Sequence, residues 1–312
     1  MPPPTDRKER TDQKERTGRA ERTAGAGALT EGLDHLDTAA PAGPPTPAGP
    51  ARRYAARLRT TVTTPALSVL ALLLLWQGAY ALGLSATLPS PAAVASSLGD
   101  ARRDGTLWPA LGHSLLRTAV GFAVSVVLGT LLGLLIHRVR AARGALAPVL
   151  SALQSLPAAG LVPLGVIVFG ESEAAVYAVV LLGAVPSVAL GVAGALGQIP
   201  PLLIRAGRSL GATGPALVRH ILLPAALPGL VAALRQGWTF GWRALMTAEL
   251  ITATPLPGVG QLLSTGKEND DTALVLAAVL LVLTVGIVME SALFTPVERR
   301  VLRARGLLPA RL

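Results

Sequence analysis

Four stretches of this chain contain no Asp, Glu, Lys or Arg: residues 60–99, 118–136, 144–170 and 174–204. A helix needs about 20 apolar residues to cross the roughly 30 Å hydrocarbon core of a bilayer, so each stretch can hold one crossing. Inside lipid there is no water to bond the backbone, and a helix pairs every N–H and C=O within its own segment. The pattern therefore predicts an all-α membrane protein. Composition agrees: 51% of the residues are hydrophobic and 15% charged, too few charges to cover a soluble chain of 312 residues.

Residues 1–60 are a different material. They begin charged and mixed in sign, MPPPTDRKERTDQKERTGRAERTAGAG, and run into the Pro/Gly linker PAGPPTPAGP. Such a segment cannot bury enough apolar surface to offset its chain entropy, so it is predicted to be a disordered cytoplasmic tail. No apolar region lies near Met1 to act as a signal peptide. Residues 61–312 are expected to form one transmembrane domain of six spans, near Pro65–Leu84, Leu111–Ile136, Leu146–Phe169, Ala174–Ala195, Ala225–Ile251 and Thr272–Phe294.

Charge sets the expected orientation. ARRYAARLR precedes the first span, HRVRAAR follows the second, the Arg205–Arg219 loop follows the fourth and VERRVLRAR follows the sixth. The intervening loops at Asp100–Asp104, Glu171–Glu173 and Lys267–Asp271 are mixed or negative. The two sets alternate, and basic loops remain cytoplasmic, so both termini should face the cytoplasm of a multi-pass cell-membrane protein. The same placement explains the formal charge of +10 without nucleic acid. The chain has no cysteine, which excludes disulfides, thiol catalysis and cysteine-held metal. GQLLSTGKE at Gly260–Glu268 is not a phosphate loop, because five residues separate its glycines and Glu268, not Ser or Thr, follows Lys267. His113 and His137 sit alone at span ends, without a second ligand at metal spacing, and read as interfacial polar residues.

Gly121, Ser125, Gly129 and Gly133 recur every fourth residue in the second span. Positions i and i+4 share a helix face, so these residues form a smooth stripe for close helix packing. Arg235, Arg243 and Glu249 interrupt the fifth span, and the most costly are Arg243 and Glu249, since a charge costs roughly 2.5–3.5 kcal/mol at the bilayer centre. They are six residues apart, off each other's face, and do not form an intrahelical pair. Trp238 and Trp242 share one face of that span and read as packing or gating side chains.

A series of motifs runs in order: LPSP at 88–91, SLLRTAVGF at 114–122, LQSLPAAGLVPLGVIVFG at 153–170, RAGRSLGATGPALVRHILLP at 205–224 and LPAALPGLVAALRQGW at 223–238. AEL at 248–250, PGVGQLL at 257–263 and ERRVLRARGL at 298–307 complete it. In order and spacing the series resembles the permease subunits of the nitrate, taurine and aliphatic-sulfonate ABC importers, over residues 61–307. The resemblance implies a type I importer-like permease domain and alternating access driven by separate cytoplasmic ATPase subunits. Those partners would bind the ATP and magnesium, and this chain, itself no enzyme, would bind no cofactor. It also implies an extracytoplasmic substrate-binding protein, a second and identical permease copy, and a small anionic solute.

In that family the 205–224 loop folds as two short helices with a glycine at the bend and docks on the ATPase. Carried onto this sequence, the dock comprises Arg205, Ala206, Gly207, Gly211, Arg219, Ile221, Leu223 and Pro224. Arg205 stands where the family has glutamate, a charge reversal that bears on partner choice. Gly211 permits the bend, and Pro224 suits the first turn of the fifth span, where its missing donor would be an orphan anyway. On this reading Arg243, Glu249, Trp238 and Trp242 are candidates for the translocation path. Arg243 either attracts an anionic substrate or makes a structural ion pair or snorkels. The alternative function is a proton-coupled secondary transporter using Glu249 or Glu290, with the objection that no repeated halves are visible.

Overall fold

The computed structural model describes residues 64–252 and 254–306; the predicted 1–60 tail lies outside the described residues. Apart from the start of the first helix, everything that follows lies within residues 71–312. The elements are α1 (Thr64–Ala81), α2 (Pro91–Arg103), α3 (Leu107–Arg138), α4 (Arg140–Ser155), α5 (Ala158–Phe169) and α6 (Glu173–Gly197). They continue with α7 (Pro201–Ser209), α8 (Gly214–Leu217), a π-helical turn (Val218–Leu222), α9 (Leu223–Ile251) and α10 (Val259–Glu268). The last are α11 (Thr272–Val288), a second π-helical turn (Met289–Phe294) and α12 (Thr295–Ala304).

Four unbroken helical runs are long and apolar enough to cross a membrane: 107–138, 173–197, 214–251 and 272–304. They contain the second, fourth, fifth and sixth expected spans. The first expected span contains a shorter apolar helix, Ala66–Ala81. Its end is tied down where Trp76 Nε1 donates to Pro89 O at 3.0 Å. Ser90 then caps α2 by accepting from Ala93 N, with Pro91 at the first helical position, which accounts for LPSP.

The third expected span, Leu146–Phe169, is not one straight helix. It is the pair α4 and α5, bent by 110°. Leu156 and Pro157 are extended at the break, with ψ of 135° and 141°. Proline has no N–H for the ladder and disfavours helical backbone at the residue before it, so LQSLP ends one helix and starts another.

The packing of α3 on α6 follows from the small-residue stripe. A methyl added at Gly121 would lie 2.7 Å from Val180 Cγ1, and one at Gly129 would lie 2.7 Å from Val188 Cβ. At Gly133 it would lie 2.8 Å from Val192 Cβ. Ser125 keeps its hydroxyl satisfied by donating to Gly121 O at 2.7 Å. The backbones therefore approach at a distance that no larger side chain allows. On its other side α6 meets α9 by the same device, Gly183 beneath Ala244 and Gly229 beneath Ala195. Val176, Val179 and Val180 of α6 and Leu245 and Ala248 of α9 close the core with Val162 of α5.

Candidate functional site

The loop after α6 is a helical elbow. α7 ends in paired reverse hydrogen bonds: Gly211 N donates to Arg208 O and Ala212 N to Gly207 O, each at 3.0 Å. This closure needs a left-handed residue, and Gly211 supplies it at φ +85°. Gly207 is buried because a methyl there would lie 2.9 Å from Ile221 Cδ1 and 3.3 Å from Leu217 Cδ1. The absent side chain lets α7 lie against the helix that follows.

The second arm of the elbow differs from the expectation that the fifth span opens at Pro224. The helix starts at Gly214 and runs unbroken to Ile251. Pro224 has no N–H for an α-helical bond, and just before it Leu223 N reaches five residues back to Val218 O. The turn widens to the π form instead of breaking. A displacement of the elbow is thus a displacement of the end of α9. Its outer surface mixes exposed Leu202, Leu203, Val218 and Leu223 with exposed Arg205, Ala206, Arg208 and Arg219. Leu210, at the tip, is 87% exposed.

On α9 itself, Gln236, Thr239, Arg243 and Thr247 lie on one helical face, and the first three are exposed. The Arg243 guanidinium stacks over the Phe240 ring at 5.0 Å. It has no acidic partner among the described residues. It lines a cavity of 220 Å³ with Gln154, Leu156, Pro157, Phe240 and Thr247. The break between α4 and α5 forms the opposite wall. A polar face of this kind cannot face hydrocarbon; it belongs against water or another protein surface.

Trp238 and Trp242 point away from that face, 8% and 6% exposed. Trp238 meets Phe122 edge-on at 5.5 Å, and Trp242 packs with Leu161, Val180 and Leu245. Glu249 also lies apart from Arg243, in a closed ionic cluster. Its carboxylate accepts from Arg117 Nη1 at 2.8 Å, from Ser114 Oγ at 2.7 Å and from Gly260 N at 3.1 Å. Arg117 also holds both carboxylate oxygens of Glu173, Nε to Oε2 at 2.8 Å, and donates to Leu256 O at 2.7 Å. Arg117 is 2% exposed and Glu249 1%, so both are enclosed by protein. The cluster pins α3, α6, α9 and the turn before α10 together.

That turn is PGVG. Val259 N donates to Ser114 Oγ at 2.9 Å, and His113 Nδ1 lies 2.9 Å from Pro257 O. A methyl at Gly258 would overlap the Glu249 carboxylate, and one at Gly260 would lie 2.5 Å from Glu249 Cβ. Arg117 is the residue that sequence reasoning missed. It stands directly before an uncharged block and three residues after Ser114, which is helical spacing toward a common partner.

Glu290, the other proton-site candidate, is held by Arg235. Arg235 Nε donates to Glu290 Oε2 at 2.9 Å and Nη1 to Glu298 Oε2 at 3.1 Å. Each of the two carboxylates offered as the proton site of a secondary transporter, Glu249 or Glu290, is therefore ion-paired to arginine. Of the three arginines at 117, 235 and 243, two are each neutralised by two carboxylates. Of these three, Arg243 is the one with no carboxylate partner among the described residues.

Crossing helices that turn one polar face out of the core, joined to an exposed helical elbow, define a membrane transport subunit. The chain belongs to the family of binding-protein-dependent transport system inner membrane components, the permease subunits of ABC importers, whose model matches residues 125–303. It is 30% identical over 190 residues to the taurine transport system permease protein TauC of Escherichia coli, covering 61% of this chain and 68% of that one. It is 26% identical over 208 residues to the nitrate import permease protein NrtB of Synechocystis sp., covering 64% and 74%. A solved structure of the MetNI methionine ABC transporter, in an inward-facing conformation, matches with a TM-score of 0.51 at 25% identity. That match covers 60% of this chain and 92% of the other.

Proposed function

We propose that two copies of this chain face each other across the polar side of α9 and form the path for a small oxyanion. The observation that carries this reading is the unpaired Arg243 on an exposed polar face of a spanning helix. Within a membrane, such a face needs water or a partner, and a path between two copies supplies both. The free positive charge selects an anion by simple attraction. Taurine and nitrate, named for two relatives, share a compact oxyanion.

The Arg205–Pro224 elbow is the dock for a cytoplasmic ATPase subunit, which binds the ATP and magnesium. Exposed Leu202 and Leu210 offer apolar contact and the arginines offer charge. Because α8 and α9 are one helix, motion of the ATPase reaches Arg243 without a joint. An extracytoplasmic binding protein delivers the solute. Both termini, including the 1–60 tail, lie on the cytoplasmic side.

The test is ATP-driven uptake of radiolabelled taurine and of nitrate by the reconstituted importer. Arg243→Ala should reduce uptake at least tenfold at normal membrane levels, with Arg243→Lys retaining part of it. Uptake at wild-type rates in both variants would refute the role of Arg243. Loss of ATPase co-purification on Gly207→Leu, with the permease still folded, is the expected result for the dock.

A further inference from the structure

A second cavity, of 380 Å³, lies along α9 next to the one that holds Arg243, and Gln154 lines both. Its polar groups are Gln154 from α4, Ser187 and Gln198 from α6 and its end, and Gln236 from α9. Ser187 is 1% exposed, and its hydroxyl has no hydrogen-bond partner among the described residues. Elsewhere in these helices a serine or threonine satisfies itself on the carbonyl four residues back, as Thr118, Ser125, Thr239 and Thr247 do. Ser187 does not, and a buried donor left over beside a cavity is a group kept for something that enters it. The three glutamine amides have no side-chain or backbone partner among the described residues, and they are open to the cavity, Gln198 and Gln236 exposed and Gln154 half-buried.

We infer that this cavity is a second, uncharged subsite for the same small oxyanion, one step further along the path proposed above, on which the inference rests. Gln236 is two helical turns from Arg243, about 10 Å along the axis. Hydroxyl and amide N–H groups donate to oxyanion oxygens from several directions, and no carboxylate lines either cavity. The two sites differ in a useful way. Arg243 draws the ion in by charge, and the glutamine site solvates it without charge, so the ion is not trapped. Passage through a pore requires this succession of sites that bind enough to enter and weakly enough to leave.

The natural absence of cysteine allows a direct test. Single cysteines at Ser187, Gln236 and Arg243 in the full importer are exposed to two methanethiosulfonates. One carries a sulfonate and the other a trimethylammonium group, and each rate is divided by that reagent's rate with a free thiol. Gln236→Cys and Ser187→Cys should both react, with the sulfonate favoured about tenfold by Arg243 at this distance. Adding Arg243→Gln should abolish the preference while leaving the reaction. If Arg243→Cys reacts and the other two are inert, the path stands and the subsite falls; if all three are inert, the path falls as well. Equal normalised rates would overturn the anion class. Oxidative cross-linking of Gln236→Cys between copies, without labelling, would overturn the subsite by showing that a second copy covers it.

Discussion

Replacing Glu249 tests what holds α3, α6 and α9 together at the end near α10. Glu249→Ala removes a carboxylate that takes donors from Arg117, Ser114 and Gly260. Breaking a buried ion pair from one side costs about 3–5 kcal/mol. The orphaned Gly260 N–H adds to this, at roughly 1–3 kcal/mol for an unsatisfied buried donor. Arg117 keeps Glu173 and Leu256 O, which works in the opposite direction. A net loss near 4 kcal/mol, at about 2–4 °C per kcal/mol for a domain of this size, lowers the melting midpoint by roughly 10 °C. Glu249→Gln retains one acceptor oxygen but turns an amide donor toward other donors, and should fall about half as far. The exposed Arg103–Asp100 pair is the internal control. Its side chains are 78% and 60% exposed, and surface pairs of this kind contribute about 0–1 kcal/mol, so Asp100→Ala should barely move the midpoint. The assay is size-exclusion chromatography of the detergent-solubilised protein after a heating series. If Glu249→Ala melts within about 2 °C of the parent, the cluster does not hold the helices and the reasoning fails.

Arg117→Met should be at least as damaging as Glu249→Ala in the same assay, because it strands two carboxylates, one of them fully buried. Gly258→Ala should match the Glu249 phenotype, since its methyl displaces the carboxylate, whereas Gly260→Ala should be worse because the methyl also meets backbone, Met246 O at 2.8 Å. Gly211→Ala places a side chain at φ +85° with open space around it. It should cost about 1–2 kcal/mol of local backbone strain, read as weakened ATPase co-purification with the global midpoint little changed. Arg205→Glu, at an exposed site, should leave the midpoint within about 1–2 °C while altering the yield of co-purified ATPase.

The uncharged blocks, by themselves, determined that this chain is helical and crosses a membrane, because lipid leaves the backbone no other way to satisfy its hydrogen bonds. The four-residue stripe likewise marked a packing face on the second span. Periodicity along one helix carries no information about the opposing surface, however, and only the tertiary structure identified α6 as the partner, through Val180, Val188 and Val192. The kink in the third span was written locally as Ser155-Leu156-Pro157, yet its 110° angle depends on what α4 and α5 pack against. The charges divide most sharply. Sequence singles out Arg243 and Glu249 equally, as costly ions in one apolar segment. Folding brings Arg117 across 132 residues to neutralise Glu249 and brings nothing acidic to Arg243. Which distant side chain meets a charge in a spanning helix is thus decided by folding, since ion pairing requires a few ångströms of separation that no linear spacing encodes.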